Sequence, residues 1–237
     1  MTADLMAPGR LEQGYVIVLP GVEGQSFLNR SIVRGLVAAG VPYGIEIHDW
    51  TAGLLGYFRN LRDSRRHRDQ AEEIAGKIAR YRDAHPSQPI YVIGHSGGGA
   101  MTLFTLERLP GSICATGGIL LVPAISPAYD IGPALARTTR GLWNFSSWGD
   151  FFIVGLGTLV CGTCDGKHRP SAGMVGFSPA VRPENRPGGH QRPTLHEVPY
   201  RPAMLRHGGL GGHFTLVNPV FVRHWIAPIV LGLDVPR

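Results

Sequence analysis

Short runs of aliphatic and β-branched residues alternate along this chain with stretches in which apolar side chains recur every three or four positions. The run "YVIVLPGVEG" (15–24) is stopped by Pro20 and Gly21, and Leu28, Ile32, Val33, Leu36 and Val37 follow at helical spacing, which predicts strand, loop, helix. The pattern repeats. "YGIEIHDW" (43–50) reads as a strand, and Ala71, Ile74, Ala75, Ile78 and Tyr81 mark a helix that stops near His85-Pro86. "PIYVIGH" (89–95) is the next strand, with an apolar helix after Ser96. "GGILLVPAI" (117–125), "DIGPALART" (130–138) and "GLWNFSS" (141–147) then supply strand, short helix and strand. Strands alternating with helices predict the α/β class, a mostly parallel sheet flanked by helices on both faces.

The pattern weakens beyond this point. Residues 165–212 are rich in proline and glycine and read as an irregular loop or lid-like segment, with one short strand candidate at 194–200. In "NPVFVRHWIAPIVLG", Phe221, Val222, Trp225, Ile226, Ile229 and Val230 share one stripe with Pro219 in the first turn, as in a terminal helix docked on the sheet. With no repeat and no second core, the expectation is one domain, 1–237. Little room for a cap domain lies between Ile125 and Gly141, so shaping of a pocket falls to residues 151–212. The run "FFIVGLGTLV" (151–160) would line an acyl site there or form a buried helix or strand.

Composition narrows the class. A chain of 237 residues with 43% hydrophobic content can bury a sizeable core. Neither a signal-peptide pattern nor an apolar run of about 18 residues is present, which predicts a cytoplasmic protein with no membrane span. Three cysteines, Cys114, Cys161 and Cys164, are too few and odd in number for a disulfide framework. The net charge of +6 invites a nucleic-acid reading. Its densest run, "RNLRDSRRHRD" (59–69), is interrupted by Asp63 and Asp69 and carries no interleaved aromatics, so a solvated loop and helix start is expected instead, without a nucleic-acid partner.

Chemistry concentrates at "GHSGGGA" (94–100). Gly94-His95-Ser96-Gly97-Gly98 fits G-x-S-x-G, placed where a predicted strand turns sharply into a predicted helix. Glycines at 94 and 98 permit a turn in which neighbouring side chains would otherwise collide, and the serine hydroxyl is pushed out above the sheet edge. The Gly97 amide, opening the helix, points where negative charge would develop on a reacting oxygen. An ordinary glycine-rich turn or a phosphate loop is the plainer alternative, but G-x-x-x-x-G-K-[ST] is absent and the register of G-x-G-x-x-G is missed.

On these residues the chain resembles the α/β-hydrolase superfamily, in particular its small lipase- and esterase-like enzymes with a G-H-S-x-G elbow. The resemblance implies a nucleophile, then an acid after a late strand, then a histidine before the last helix. His213, in the glycine-rich "HGGLGGHFTLVNP", meets the last requirement, with His207 as a nearby rival; His190 and His196 come too early. Two aspartates compete for the acid. Asp150 comes just past "GLWNFSS" and after a glycine turn, whereas Asp165 fits only if "FFIVGLGTLV" is the late strand; either is otherwise a solvated turn or cap residue. The resemblance also implies an oxyanion loop after the first major strand, here "LPGVEGQS", with the Val22 amide joining that of Gly97 and Ser26 free to cap the next helix. Glu23 in that loop is read as a solvated glutamate or a substrate contact.

Cys161-Gly-Thr-Cys164, with His168, also looks like a redox pair or part of a zinc site. A second ligand pair is missing and the topology is wrong for a redox helix, so no metal and no cofactor are expected. What the resemblance implies is a serine hydrolase cleaving a carboxylic ester through an acyl-enzyme, with Ser96, Asp150 and His213 as triad and a small ester or acyl substrate as partner. Thioester, amide or C–C hydrolysis, acyl transfer, or a binding protein with a silent triad remain open alternatives. The base must be neutral to accept a proton, so activity is expected to rise with pH through roughly 6 to 7.5, an imidazole's own range.

Overall fold

The computed structural model describes residues 4–53, 56–150, 162–181 and 193–233, with only the backbone of Tyr57, Phe58 and Asp150. Six strands, β1 (Tyr15–Leu19), β2 (Gly44–Ile47), β3 (Ile90–His95), β4 (Ala115–Leu121), β5 (Thr138–Ser146) and β6 (Thr194–Pro199), form one sheet in the order β2-β1-β3-β4-β5-β6. Every neighbouring pair is parallel. Parallel pairing requires crossovers, which here place helices on both faces and explain why the strands read as continuous apolar runs.

Side-chain alternation divides the core in two. Tyr15, Ile17 and Leu19 of β1 turn toward α4 (Ser64–Ala84) and α5 (Gly97–Glu107), where Ala71, Ile74, Ile78, Leu103 and Leu106 are buried against them. Val16 and Val18 turn the other way, toward α2 (Phe27–Ala38) and the terminal helix. Local chemistry sets the helix starts. Ser26 caps α2, its Oγ accepting from the Leu28 amide at 3.2 Å while the Asn29 side chain accepts from the Ser26 amide at 2.9 Å. Asp63 separates the short α3 (Tyr57–Arg62) from α4 and accepts from the Arg66 amide at 3.0 Å, so the arginine-rich run is helical surface. The helices α1 (Pro8–Leu11) and α6 (Gly132–Leu135) are single turns.

The strand expected at 194–200 is present, and one feature of the terminal helix departs from the pattern read along the chain. Within the proline-rich segment, β6 is a true edge strand, in register with β5 from Gly141–Thr194 to Ser146–Pro199; Pro199 sits at its last position, where a missing amide costs the ladder least. The terminal helix buries the expected stripe, but its middle, Val222–Ile226, is a π-turn between Pro219–Phe221 and Ala227–Val230. Pro228 has no amide to bond the carbonyl four residues back, and the ladder widens just before it.

Candidate active site

The strand-to-helix turn carries the strain that the glycine pattern anticipated. Ser96 lies between β3 and α5 with φ 54° and ψ −118°, a conformation that costs about 1–3 kcal/mol and survives only where surroundings impose it. They do. The Ser96 amide donates to the Leu121 carbonyl at 2.9 Å, and its carbonyl accepts from Gly99 at 2.9 Å and Ala124 at 3.0 Å. A Cβ on Gly94 would stand 2.0 Å from the Gly98 carbonyl oxygen, and one on Gly98 would stand 2.3 Å from that of Leu19. Glycine is therefore required at both positions by close backbone approach. The other described non-glycine residue with positive φ, Val122 at 43°, follows β4 next to the elbow.

Beside the turn lies the loop after β1. The Val22 amide nitrogen stands 3.4 Å from where a Cβ on Gly97 would be, so this loop packs closely on the first residue of α5. As the first residue of α5, Gly97 has no intrahelical partner for its N–H. Three successive carbonyls of the loop are anchored. Pro20 accepts from Trp50 Nε1 at 2.8 Å, Gly21 from the Gly24 amide at 3.1 Å, and Val22 from Asn60 Nδ2 at 2.9 Å. Asn60 is wholly buried; its Nδ2 also reaches the Gly53 carbonyl at 3.1 Å, its Oδ1 accepts from Ala52 at 2.8 Å, and its carbonyl meets His67 Nε2 at 2.6 Å. Trp50 and Asn60 had no signal in the sequence, because nothing local indicates that "HDW" and "RNL" meet the "LPGVEG" loop. Glu23, expected to be solvated, is half-buried, and desolvation together with the nearby Asp49 raises its carboxyl above the usual range.

His213 is brought to the elbow from the far end of the chain. Its ring lies 4.6 Å from that of His95, the residue before Ser96, and its carbonyl meets His95 Nε2 at 3.2 Å. Burial pushes the His213 imidazole down to about 4, below the range expected for free imidazole. The rival His207 is elsewhere, stacked on His224 at 4.2 Å and accepting from Trp225 Nε1 at 3.2 Å. His196 stacks on Trp143 at 4.8 Å, and His190 lies outside the described residues.

For the acid, the two aspartates occupy different surroundings. Asp150 closes a 3-10 turn, Trp148–Asp150, that follows β5, and its side chain lies outside the described residues. The backbone of that turn abuts the His213 loop: a Cβ on Gly149 would stand 2.4 Å from the Gly211 carbonyl oxygen, which also accepts from Ser147 Oγ at 2.5 Å. Asp165 is engaged away from this loop. Its Oδ1 accepts from the Ser126 amide at 3.0 Å and from Thr163 Oγ1 at 2.5 Å. It borders a cavity of about 610 Å³ walled by His67, Phe104, Glu107 and Tyr129, whose lining includes neither Ser96 nor His213.

Cys161 and the run 151–160 lie outside the described residues, and burial pushes the Cys164 thiol up to about 12, away from thiolate chemistry. Among the described residues no group of three His, Cys, Asp or Glu side chains could hold a metal ion. No described helix is long and apolar enough to cross a membrane.

No family model and no curated protein sequence matches this chain. Solved structures do. Lipase B from Aspergillus fumigatus aligns over 98% of this chain at 12% identity with a TM-score of 0.60. The poly(3-hydroxybutyrate) depolymerase LpqC from Bordetella parapertussis aligns over 95% at 13% identity with a TM-score of 0.53. The chain spans 55% of the length of that lipase and 80% of that depolymerase. The likeness is one of fold: six parallel strands flanked by helices, with the sharp turn after β3, are the α/β-hydrolase fold.

Proposed function

We propose that this protein is a serine hydrolase that cleaves a carboxylic ester through an acyl-enzyme. The observation that carries the reading is the strained Ser96 at the elbow, with the His213 ring packed on the residue beside it and the Val22 amide next to Gly97. Ser96 Oγ attacks the ester carbonyl carbon while His213 takes its proton, since an alcohol is a poor nucleophile until a base removes it. The carbonyl oxygen, now negative, is met by the Val22 and Gly97 amides; a donor of this kind is worth roughly 10²–10³ in rate. His213 then protonates the departing alkoxide, the acyl group stays on Oγ, and water repeats the sequence to release the acid. Asp150 is the proposed orienting acid, supported by the contact of its turn with the His213 loop. A single domain and cytoplasmic residence complete the proposal, the latter supported by the free thiols of Cys114 and Cys164.

A fluorophosphonate probe and a series of p-nitrophenyl esters of graded chain length test this directly. Wild type should be labelled and should turn over at least one ester. Ser96→Ala should lose labelling, and kcat should fall by a factor on the order of 10⁴ to 10⁶ with the fold intact. Labelling or turnover that survives Ser96→Ala would overturn the mechanism.

A further inference from the structure

His95 stands in the variable position of the elbow, and a strand residue so deeply buried would ordinarily be apolar. It is 1% exposed, its Nε2 lies 3.2 Å from the His213 carbonyl, and its ring packs at 4.6 Å against that of His213, at an interplanar angle of 47°. A carbonyl only accepts, so Nε2 carries the proton and the ring is the neutral Nε2–H tautomer. Its Nδ1 is buried with no hydrogen-bond partner among the described residues. Leaving such an atom unpaired costs about 1–3 kcal/mol, a cost that phenylalanine would avoid while filling the same space. Packing alone does not account for a histidine here.

We propose that His95 is a positioning residue for His213: its Nε2–H fixes the His213 carbonyl and its ring supports the His213 imidazole, joining the nucleophile turn and the base loop into one rigid unit. The inference rests on His213 serving as the base, and it adds how a loop built from Gly208, Gly209, Gly211 and Gly212 holds an imidazole still. Those glycines give the backbone freedom that a proton-transfer geometry cannot tolerate. One hydrogen bond to the base's own main chain and one ring contact to its side chain remove that freedom at the residue concerned. Because the anchor is the neighbour of Ser96 on a central strand, any shift of the turn carries the base with it.

Two substitutions separate the contributions. His95→Phe keeps a ring and loses the donor, whereas His95→Gln keeps a donor at similar reach and loses the ring. In His95→Phe, kcat on a p-nitrophenyl ester should fall by roughly 10²-fold with KM within about threefold, the scale of a misplaced catalytic group. The melting temperature should stay level or rise. His95→Gln should recover kcat to within about tenfold of wild type. Independently of turnover, the ring C–H resonance of His213 should be single and sharp in wild type and His95→Gln, and broadened or doubled in His95→Phe. Wild-type kcat with an unchanged His213 resonance in His95→Phe, or a His95→Gln variant as impaired as His95→Phe, overturns the proposal. If His95→Phe does not fold, His95→Leu makes the same comparison. A wild type that neither hydrolyses esters nor labels would refute the proposed function, while the His213 resonances would still decide whether His95 holds that loop.

Discussion

Acidification should destabilise this protein by protonating histidines that the native state holds neutral, and replacing His213 isolates one of them. Burial moves its imidazole from 6.5 down to about 4. A depressed folded value means that the unfolded chain takes up a proton that the native state refuses. Stability from this residue is complete above pH 6.5, falls as pH drops through the window, and is fully lost below about 4. A gap of two to three units at 1.36 kcal/mol each amounts to roughly 3 kcal/mol, on a slope of about 1.4 kcal/mol per pH unit. His67 and His95, also depressed by burial, add to the background slope, whereas Glu23 and Glu107, raised by burial, oppose it. The contributions of His67, Glu23 and Glu107 cancel in a difference, whereas that of His95, which the neighbouring His213 also depresses, cancels only in part. Urea unfolding of wild type and His213→Gln at several pH values between about 7.5 and 4 should therefore converge as pH falls, wild type losing roughly 3 kcal/mol more than the variant. The same depression moves the acid limb of kcat/KM below the 6 to 7.5 range of a free imidazole. Parallel stability curves for the two proteins would refute the assignment of a neutral, buried His213.

Asp150→Asn should lower kcat by up to about 10⁴ through a mis-set tautomer and an unstabilised imidazolium, while Asp165→Asn stays within a few-fold; the reverse result would make Asp165 the acid. Gly94→Ala should destabilise by roughly 3 kcal/mol, the upper end for overpacking, because its Cβ meets a backbone oxygen that cannot move aside; a wild-type melting temperature would contradict the elbow geometry. Asn60→Leu, which frees the Val22 carbonyl, should reduce kcat and fluorophosphonate labelling together by roughly tenfold or more with little change in KM, and an equal change in both constants would place its role in substrate binding instead.

The central sheet was legible from apolar runs because parallel strands covered on both faces must be hydrophobic throughout, and Ser96 was legible because the spacing of Gly94 and Gly98 records two backbone collisions. Position in chain order, through the family resemblance, was enough to nominate His213, Val22 and Asp150. The edge strand β6 was only partly visible, since half-exposed residues such as His196 and Glu197 dilute its alternation. Folding alone brought Trp50 and Asn60 onto the carbonyls of the loop after β1, set Asp165 against Thr163 and Ser126, and laid the His213 ring on His95. These contacts join residues up to 118 positions apart, and no local pattern encodes a partner that distant. The depressed titration of His213 belongs to the same category, because an imidazole's affinity for its proton depends on how much water the assembled structure leaves around it.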